Sequence, residues 1–440
     1  MTNRSANRRL KSFYGQPVAS WVILGVLLIF LVAAESFALY TVFTSKFPGG
    51  NDFFVRWLGG REYLLHGTNP FDRSIAEQAQ TAMFGRLATP QDKDQAYFAY
   101  PLYTLYFFWP LSLVRYAWAQ AIWMTLLQFM LIGATILAIR LVDWQPPTWL
   151  YWFTIFWGIF FYNGARAILL GQFAILVGLA LFLALLAVGH KRDVWAGVLL
   201  SVTTIKPQMV FLVVAFLLIW ALFRRRWRLI GSFVASLLVL TLSSMLLVPT
   251  WPLDFVRNAI AYTDYVAFGT PLENLLHYFF PAHIAAALTV GLSILFFLLL
   301  LPGWWLALRD RPGAYTWAIM STIIVGSLIT FRSATANQMI LYLPLFFFFK
   351  RLFLPNHSDP MPGSSAQRTP GPFAKGWMSI TVALIEIGLA VLMWGVFIAT
   401  LEGNWENIML HGLLPALVLL VYAVDWRALL HTAHAEEIQA

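Results

Sequence analysis

Long apolar runs, separated by short polar stretches, are the feature that most restricts how this chain can fold. A bilayer with a hydrocarbon core about 30 Å thick requires spanning helices of roughly 17 to 25 mostly apolar residues, and the chain offers one such run after another. Hydrophobic residues make up 60% of its 440 residues and charged residues only 11%, too few to cover a soluble protein of this size. The sequence therefore predicts an all-α, polytopic integral membrane protein.

The basic residues are concentrated in short clusters between the apolar runs. They occur in the N-terminal segment 4–11, in "RRRWR" at 224–228 and in "KR" at 350–351. Because cytoplasmic loops carry such an excess of Lys and Arg, we interpret the net charge of +9 as a topology signal and a contact with membrane lipids, not as a nucleic-acid-binding surface. The pattern predicts an uncleaved first helix with a cytoplasmic N-terminus, in a multi-pass protein of the plasma membrane.

The apolar runs predict about 12 membrane segments, including one at 97–114. They divide the chain into a cytoplasmic tail at 1–17, a membrane core at 18–350, a disordered cytoplasmic linker at 351–375, a transmembrane hairpin at 376–425 and a cytoplasmic tail at 426–440.

Two external loops, at 44–96 and 249–282, interrupt the predicted core. Amphipathic stretches at 53–65 and 74–87 predict short helices that lie on the membrane in the first of these loops.

One apolar segment, "AGVLLSVTTIKPQMVFLVVAFLLIW", carries Lys206 and Pro207 in its middle. Proline interrupts the helical hydrogen-bond ladder, so the segment is either one kinked span or a re-entrant hairpin that turns at Lys206. The basic residues on both sides of it, "HKR" and "RRRWR", favour the hairpin, because both clusters then lie on the cytoplasmic side.

The stretch "GGNDFFVRWLGGREYLLHGTNPFD", at 49–72, directly follows the first apolar run and contains the strongest candidate for chemistry. Asp52 lies at the membrane boundary among apolar neighbours, which lower the local dielectric and suit a general base. The alternative is that Asp52 is the N-cap of a short interfacial helix. Arg56, Arg61 and Glu62, further along the stretch, are candidates for substrate binding.

Polar side chains within and between the later apolar runs are the second set of candidates. Ionisable groups at membrane depth are costly unless they are paired or face a water-filled cavity, so they mark functional sites by default. Lys206 is the strongest of them, because a broken helix exposes backbone groups that need a partner; a lysine that snorkels to the interface is the alternative. The set consists of Asn163, Arg166, Gln172, Lys206, Arg332, Asn337 and Gln338.

Four motifs in order resemble glycosyltransferase family 87, the polyprenol-phosphate-mannose-dependent mannosyltransferases of the GT-C superfold. They are "NDFFVRWLGGREYLLHGTNPFD" at 51–72, "FAYPLYTLYFFWPL", "NGARAILLGQFAILVGLAL" and the segment from "AGVLLSVTTIKP" to "RRRWR". The resemblance covers residues 20 to 235, with weaker similarity to 350, and departs from the family's usual "YPP" with "YPL" at 100–102.

The resemblance implies a GT-C type fold and inverting transfer of a sugar, mannose by the family's name, on the external face of the membrane. It implies Asp52 as the general base, and neither a metal nor another cofactor. Cysteine is absent, and the eight histidines do not show metal-ligand spacing.

The expected partners are a polyprenyl-phosphate sugar donor, a glycolipid or glycan acceptor and membrane lipids. The charge that develops on the leaving phosphate calls for cations, for which the candidates are Lys206, Arg166 and Arg332. Residues expected to bind substrate are Arg56, Arg61, Glu62, Asn163, Gln172, Asn274 and Gln338.

Two other activities remain possible on the sequence alone. One is a transporter or flippase of lipid-linked sugars, although such folds are usually built from repeated halves and this chain shows no internal repeat. The other is an oligosaccharide ligase or polymerase that shares the GT-C architecture. The sugar, the acceptor and the length of the donor lipid are not determined by any residue.

Overall fold

A computed structural model gives the fold and describes residues 18–47, 49–90, 92, 94–265, 269–311, 313–331, 333–353, 372–401 and 406–437. Within these ranges the chain forms helices and turns and no β-strand, which confirms the all-α prediction. The predicted tail at 1–17 and residues 354–371 of the predicted linker lie outside the described residues.

The α-helices, in chain order, are α1 Val18–Leu39, α2 Asn51–His66, α3 Arg73–Phe84, α4 Tyr116–Leu141, α5 Thr148–Phe160, α6 Tyr162–Leu170, α7 Ala174–Gly189, α8 Asp193–Thr203, α9 Pro207–Phe223, α10 Trp227–Leu247, α11 Trp251–Tyr265, α12 Pro271–Phe279, α13 Ala282–Leu308, α14 Ala314–Ile329, α15 Tyr342–Leu352, α16 Pro372–Ala399 and α17 Met409–Glu437. A short π-helix, Tyr40–Thr44, continues α1. The two short helices predicted in the first external loop are present as α2 and α3.

Five helical segments among the described residues are long and apolar enough to cross a membrane: Val22–Thr44, Tyr116–Leu141, Trp227–Leu247, Ala282–Leu308 and Gly376–Ala399. A sixth is obtained if α5 and α6, bent by 46° at Phe161, form one span. This confirms a polytopic membrane protein. The larger number of about 12 segments stays a prediction, which would require the shorter apolar helices, such as α7, α9 and α14, to cross as well.

The predicted membrane segment at 97–114 is wrong. The structure has two short 3₁₀ helices there, Leu102–Phe107 and Trp109–Leu113. At a rise of about 2 Å per residue, neither is long enough for a hydrocarbon core of about 30 Å. Their apolar side chains instead pack against α2, whose Trp57 donates its indole N–H to a carbonyl oxygen of the second 3₁₀ helix at 3.0 Å.

The segment around Lys206 folds back on itself. α8 and α9 are separated at Lys206, whose φ of −136° and ψ of 70° lie outside the helical region. The far ends of the two helices meet, because Arg226, which follows α9, forms an ion pair with Asp193 at the start of α8. A kinked span would hold these ends on opposite sides of the membrane. The hairpin is therefore correct and the kinked span is wrong.

The C-terminal helices differ from the predicted boundaries. α15 ends at Leu352 and α16 begins at Pro372, so the described edges of the predicted linker are helical. α17 runs from Met409 to Glu437 and so continues through most of the predicted cytoplasmic tail at 426–440.

An aromatic cluster connects α2 to the middle of the fold. Phe53 of α2 stacks on Trp123 of α4 with ring centroids 5.2 Å apart, and Trp123 in turn lies 5.0 Å from Phe173, which precedes α7. All three side chains are fully buried. Since rings of this size dominate core energetics, the cluster fixes the start of α2, and with it Asp52, against the membrane helices.

Candidate active site

α2 begins immediately after the first span, and the backbone before it determines where its first carboxylate lies. Gly50 is the N-cap, in the left-handed conformation with φ +68°, and Tyr116 of α4 donates its hydroxyl to the Gly50 carbonyl oxygen at 3.0 Å. Asp52 is the second residue of the helix and makes no capping hydrogen bond, so the capping alternative is wrong. Its position in the first turn still favours a negative charge, because the helix dipole is positive there.

The two glycines in the middle of α2 explain how an amphipathic helix becomes a buried one. A Cβ on Gly59 would lie 2.8 Å from the Phe98 ring, and one on Gly60 would lie 2.6 Å from the Ser112 hydroxyl. Both distances are shorter than a carbon can approach. The glycines thus let residues 97–114 pack directly against α2, which holds the helix rigidly beside the site.

Asp52 is the centre of a group of charged and polar side chains. Gln172, between α6 and α7, donates its amide Nε2 to Asp52 Oδ2 at 2.5 Å. Arg56, one turn further along α2, places Nη1 4.0 Å from Asp52 Oδ1. The Asp52 side chain remains 32% exposed, so a substrate hydroxyl has room to reach the carboxylate.

Behind Asp52, the same glutamine contacts a buried cation. Lys206, at the turn between α8 and α9, is 5% exposed and donates its ammonium to Gln172 Oε1. The Tyr100 hydroxyl donates to the same oxygen at 3.3 Å. The Arg56 guanidinium lies 4.3 Å from the centre of the Tyr100 ring and the Lys206 ammonium 5.9 Å from it. Four of the residues singled out in the sequence, Asp52, Arg56, Gln172 and Lys206, are therefore brought together.

Two members of this group are not among the candidates predicted from the sequence. Tyr100 enters the sequence analysis only through the "YPL" at 100–102, but its ring lies close to both cations. Asp94 was not singled out, because nothing in a polar loop distinguishes it from Asp92, which forms an exposed ion pair with Arg86 at 2.7 Å. Burial raises the pKa of the Asp94 carboxyl, and the nearby Asp52 carboxylate raises it further, against the opposing effect of Arg56.

A second buried network surrounds Glu406, which precedes α17 and was also not predicted. Arg166 of α6 places Nε 3.9 Å from Glu406 Oε2. Thr335 donates its hydroxyl at 2.7 Å, Tyr162 donates its phenol, and His411 Nε2 lies 3.0 Å from Oε1. Burial by itself raises the pKa of Glu406, but the hydrogen bonds and charge of His411 and the hydrogen bonds from Tyr162 and Thr335 outweigh it and bring the pKa to about 2.

Three further candidates belong to the second network. Asn163 donates to the Thr335 carbonyl oxygen at 3.0 Å and to Gln338 Oε1 at 2.9 Å, and Gln338 donates to the His411 carbonyl oxygen. Asn274 Nδ2 lies 3.1 Å from His411 Nδ1. These amides join α6, α12 and α17 to the 3₁₀ helix Thr335–Leu341, so each has a structural role in addition to any contact with substrate.

The remaining candidates lie elsewhere. Arg61 donates to the Ser112 carbonyl oxygen at 3.1 Å, and Glu62 accepts from, or pairs with, exposed His66 at 2.8 Å. Arg332 lies outside the described residues. The predicted set of phosphate-binding cations is thus divided, because Lys206 contacts the Asp52 group whereas Arg166 pairs with Glu406.

No metal-binding cluster of three or more His, Asp or Glu side chains occurs in the described parts of the chain. The metal-free chemistry implied by the family resemblance stays a prediction. In this arrangement, a partly exposed carboxylate lies next to buried cations, which suits proton abstraction from a neutral hydroxyl beside an anionic group.

Comparison with known proteins identifies the family. No curated protein and no solved structure matches the chain. The model of glycosyltransferase family 87 matches residues 98–333, more than half of the 440. The match contains Tyr100, Gln172 and Lys206 but begins after Asp52, whose role it does not address. On this match, the chain belongs to glycosyltransferase family 87.

Proposed function

We propose that this glycosyltransferase transfers a sugar from a polyprenyl-phosphate donor to a hydroxyl group of a glycolipid or glycan acceptor, with Asp52 as the general base. Membership of family 87 supports sugar transfer rather than transport. The observation that carries the assignment of the site is the partly exposed Asp52 carboxylate, hydrogen-bonded at 2.5 Å to Gln172, which also binds the buried Lys206.

The proposed reaction is a single displacement with inversion at the anomeric carbon. The acceptor oxygen attacks that carbon and forms the new glycosidic bond, while its proton passes to the Asp52 carboxylate. The bond between the anomeric carbon and the phosphate oxygen breaks, and the polyprenyl phosphate leaves with the electron pair. Atoms and charge balance without a metal, an oxidant or a further co-substrate.

The leaving phosphate needs cations that are in place before the charge develops. Arg56, 4.0 Å from Asp52, and Lys206, which shares Gln172 with Asp52, are the candidates in the Asp52 group, and both lie close to the Tyr100 ring. Arg56 is 7% exposed, and its Nε has no hydrogen-bond partner among the described residues. Arg166 and Arg332 remain candidates for contacts with the same donor.

The proposed orientation places Asp52 on the external face of the plasma membrane. Asp52 and Lys206 lie at one end of the hairpin formed by α8 and α9, and the basic cluster that contains Arg226 lies at the other end. The positive-inside rule assigns the basic end to the cytoplasm. A lipid donor in the bilayer and a polar acceptor outside it would then meet at the level of α2. The proposed fold is of GT-C type, with about 12 crossings that include the shorter helices. Mannose is the proposed sugar, by the resemblance noted above.

Transfer by the purified protein in nanodiscs tests the proposal. Polyprenyl-phosphate mannose and other polyprenyl-phosphate sugars would be supplied with a panel of glycolipid acceptors, for the wild type, Asp52→Asn and Glu77→Gln. Glu77→Gln is the control, because it also neutralises a carboxylate in the predicted first loop but one that pairs with exposed Arg73 on α3. We expect loss of turnover in Asp52→Asn alone, by a factor of about 10² to 10⁴.

Two results would contradict the proposal. Equal turnover by Asp52→Asn and the wild type would place the base elsewhere. Transfer only from a lipid-pyrophosphate-linked oligosaccharide would identify the enzyme as a ligase or polymerase.

A further inference from the structure

The Gln172 side chain lies between the two opposite charges of the proposed site. Its Nε2 donates to Asp52 Oδ2 at 2.5 Å, and its Oε1 accepts from the Lys206 ammonium and, at 3.3 Å, from the Tyr100 hydroxyl. A primary amide is the group that can satisfy a carboxylate on one side and an ammonium on the other, because its nitrogen only donates and its oxygen only accepts. Both ends of the amide are occupied by protein groups.

The backbone holds Gln172 in this position. Gly171, immediately before it, has φ +69°, and a Cβ there would lie 2.5 Å from Phe53 Cβ. The Gly171 carbonyl oxygen accepts the Trp123 indole N–H at 2.9 Å, and the Gln172 N–H donates to the Ala167 carbonyl oxygen at 2.9 Å. The amide is thus fixed by the turn between α6 and α7, and its 8% exposure leaves little surface for a substrate.

Removal of the amide would bring the charges together. Lys206 is buried, and the Lys206 ammonium and the Asp52 carboxylate bond to opposite ends of one amide group. Opposite charges at low dielectric attract strongly, and a long lysine side chain can follow the carboxylate into the space that the glutamine leaves. A direct ion pair would oppose protonation of Asp52 and would partly neutralise the Lys206 charge.

We propose that Gln172 is a positioning residue that prevents Lys206 from pairing directly with Asp52, which leaves the carboxylate to accept a proton and the ammonium to face an anionic leaving group. This assignment rests on the proposed function. It differs from the role in substrate binding that the sequence predicted for Gln172.

The other ionisable groups around Asp52 do not depend on this glutamine. Arg56 lies on the same helix at 4.0 Å, and Asp94 approaches from the loop before the first 3₁₀ helix. Tyr116 of α4 bonds to the backbone just before the helix. Because substitution of Gln172 leaves these groups in place, a change in pH dependence reports on Lys206.

Three variants test the proposal. Gln172→Ala opens the space, Gln172→Met fills it without an amide, and Gln120→Ala is the control. Gln120 is another buried glutamine, on α4, whose one hydrogen bond in the described residues is a 3.5 Å contact with the Gly49 N–H. The readouts are kcat, the KM values of donor and acceptor, and the pH below which kcat falls.

For Gln172→Ala we expect kcat at neutral pH to fall tenfold or more, with both KM values within about twofold of the wild type. The pH below which kcat falls should move down by about one unit or more, the effect of an opposite charge at contact. Gln172→Met should lower kcat without this move, because its side chain still separates the charges. A cryo-electron microscopy structure of Gln172→Ala should show the Lys206 ammonium within about 4 Å of the Asp52 carboxylate.

Different results would overturn the role of Gln172 and the proposed function. A rise in KM with unchanged kcat and unchanged pH dependence in Gln172→Ala would make Gln172 a substrate contact and overturn the inference. So would a structure in which Lys206 keeps its distance from Asp52, a result that does not depend on activity. A wild type that transfers no sugar would instead refute the proposed function.

Discussion

Gly171→Ala should destabilise the protein more than Gly67→Ala, although the two glycines have almost the same backbone conformation. Gly67, at the end of α2, has φ +70° and nothing within 4 Å of where a Cβ would lie. Gly171 has φ +69°, but its Cβ would lie 2.5 Å from Phe53 Cβ and 3.4 Å from the Trp123 ring. The pair therefore separates the cost of the backbone conformation from the cost of the contact.

The magnitudes follow from these two contributions. An alanine in the left-handed region costs roughly 1–2 kcal/mol, which is the whole effect expected for Gly67→Ala. Overpacking against a buried side chain costs roughly another 1–3 kcal/mol, so Gly171→Ala should lose about 2–5 kcal/mol in total. Relief of the contact must move Phe53, and with it Asp52, and a displacement of about 1 Å can lower turnover about 10²-fold.

Thermal unfolding in detergent, followed by tryptophan fluorescence, measures the first effect, and sugar transfer in nanodiscs measures the second. Gly67→Ala should retain near wild-type turnover with a small decrease in melting temperature. Equal melting temperatures for the two variants would refute the packing argument. Full activity in Gly171→Ala would show that the turn between α6 and α7 does not position Asp52.

The remaining predictions concern other parts of the structure. The folded pKa of Glu406, about 2, lies below its ordinary value of 4.5. The ionised Glu406 therefore contributes about 3 kcal/mol to the free energy of unfolding above pH 4.5, and this contribution is lost as the pH falls towards 2. Glu406→Gln should lower the melting temperature at neutral pH and remove this pH dependence. Trp123→Phe removes the hydrogen bond to the turn before α7 and should cost about 1 kcal/mol in unfolding experiments; no change would mean that the bond does not stabilise the turn. Reversing the charge of Asp193 or of Arg226 alone should destabilise the protein, and reversing both should restore stability. A double-mutant cycle should give a coupling of about 1.5–3 kcal/mol, and zero coupling would contradict the closed hairpin. Lys206→Met should lower kcat about 10²-fold or more, with Lys206→Arg less affected, and unchanged turnover in Lys206→Met would remove Lys206 from the site.

Local patterns in the sequence predicted the elements that depend on neighbouring residues. The amphipathic repeat gave α2 and α3 within a few residues of their ends, because hydrophobic periodicity reflects a face that any core will bury. The break at Lys206 and Pro207 was also predictable from local sequence, because proline lacks a backbone N–H wherever it lies. The apolar run at 97–114 was misread, because a segment buried against α2 and a segment buried in lipid have the same composition.

The candidate site was predictable in its parts but not in its connections. Asp52, Gln172 and Lys206 were each conspicuous as polar groups next to apolar runs, where an unpaired charge is costly. Their mutual contacts were not visible, because they are separated by 120 and 34 residues along the chain. Asp94 and Glu406 gave no signal at all, since a carboxylate in a loop looks the same whether it faces water or a buried site.

What the sequence by itself determined is the class of the protein: an all-helical membrane protein with basic clusters between its apolar runs, set by the length of those runs and the cost of burying charge in lipid. What the tertiary structure alone decided is which charges meet. In the structure, Lys206 bonds to the Gln172 amide beside Asp52, and Arg166 pairs with Glu406. The energy of a buried charge depends on the partner within a few ångströms, and that distance is fixed by how the helices pack rather than by any local pattern.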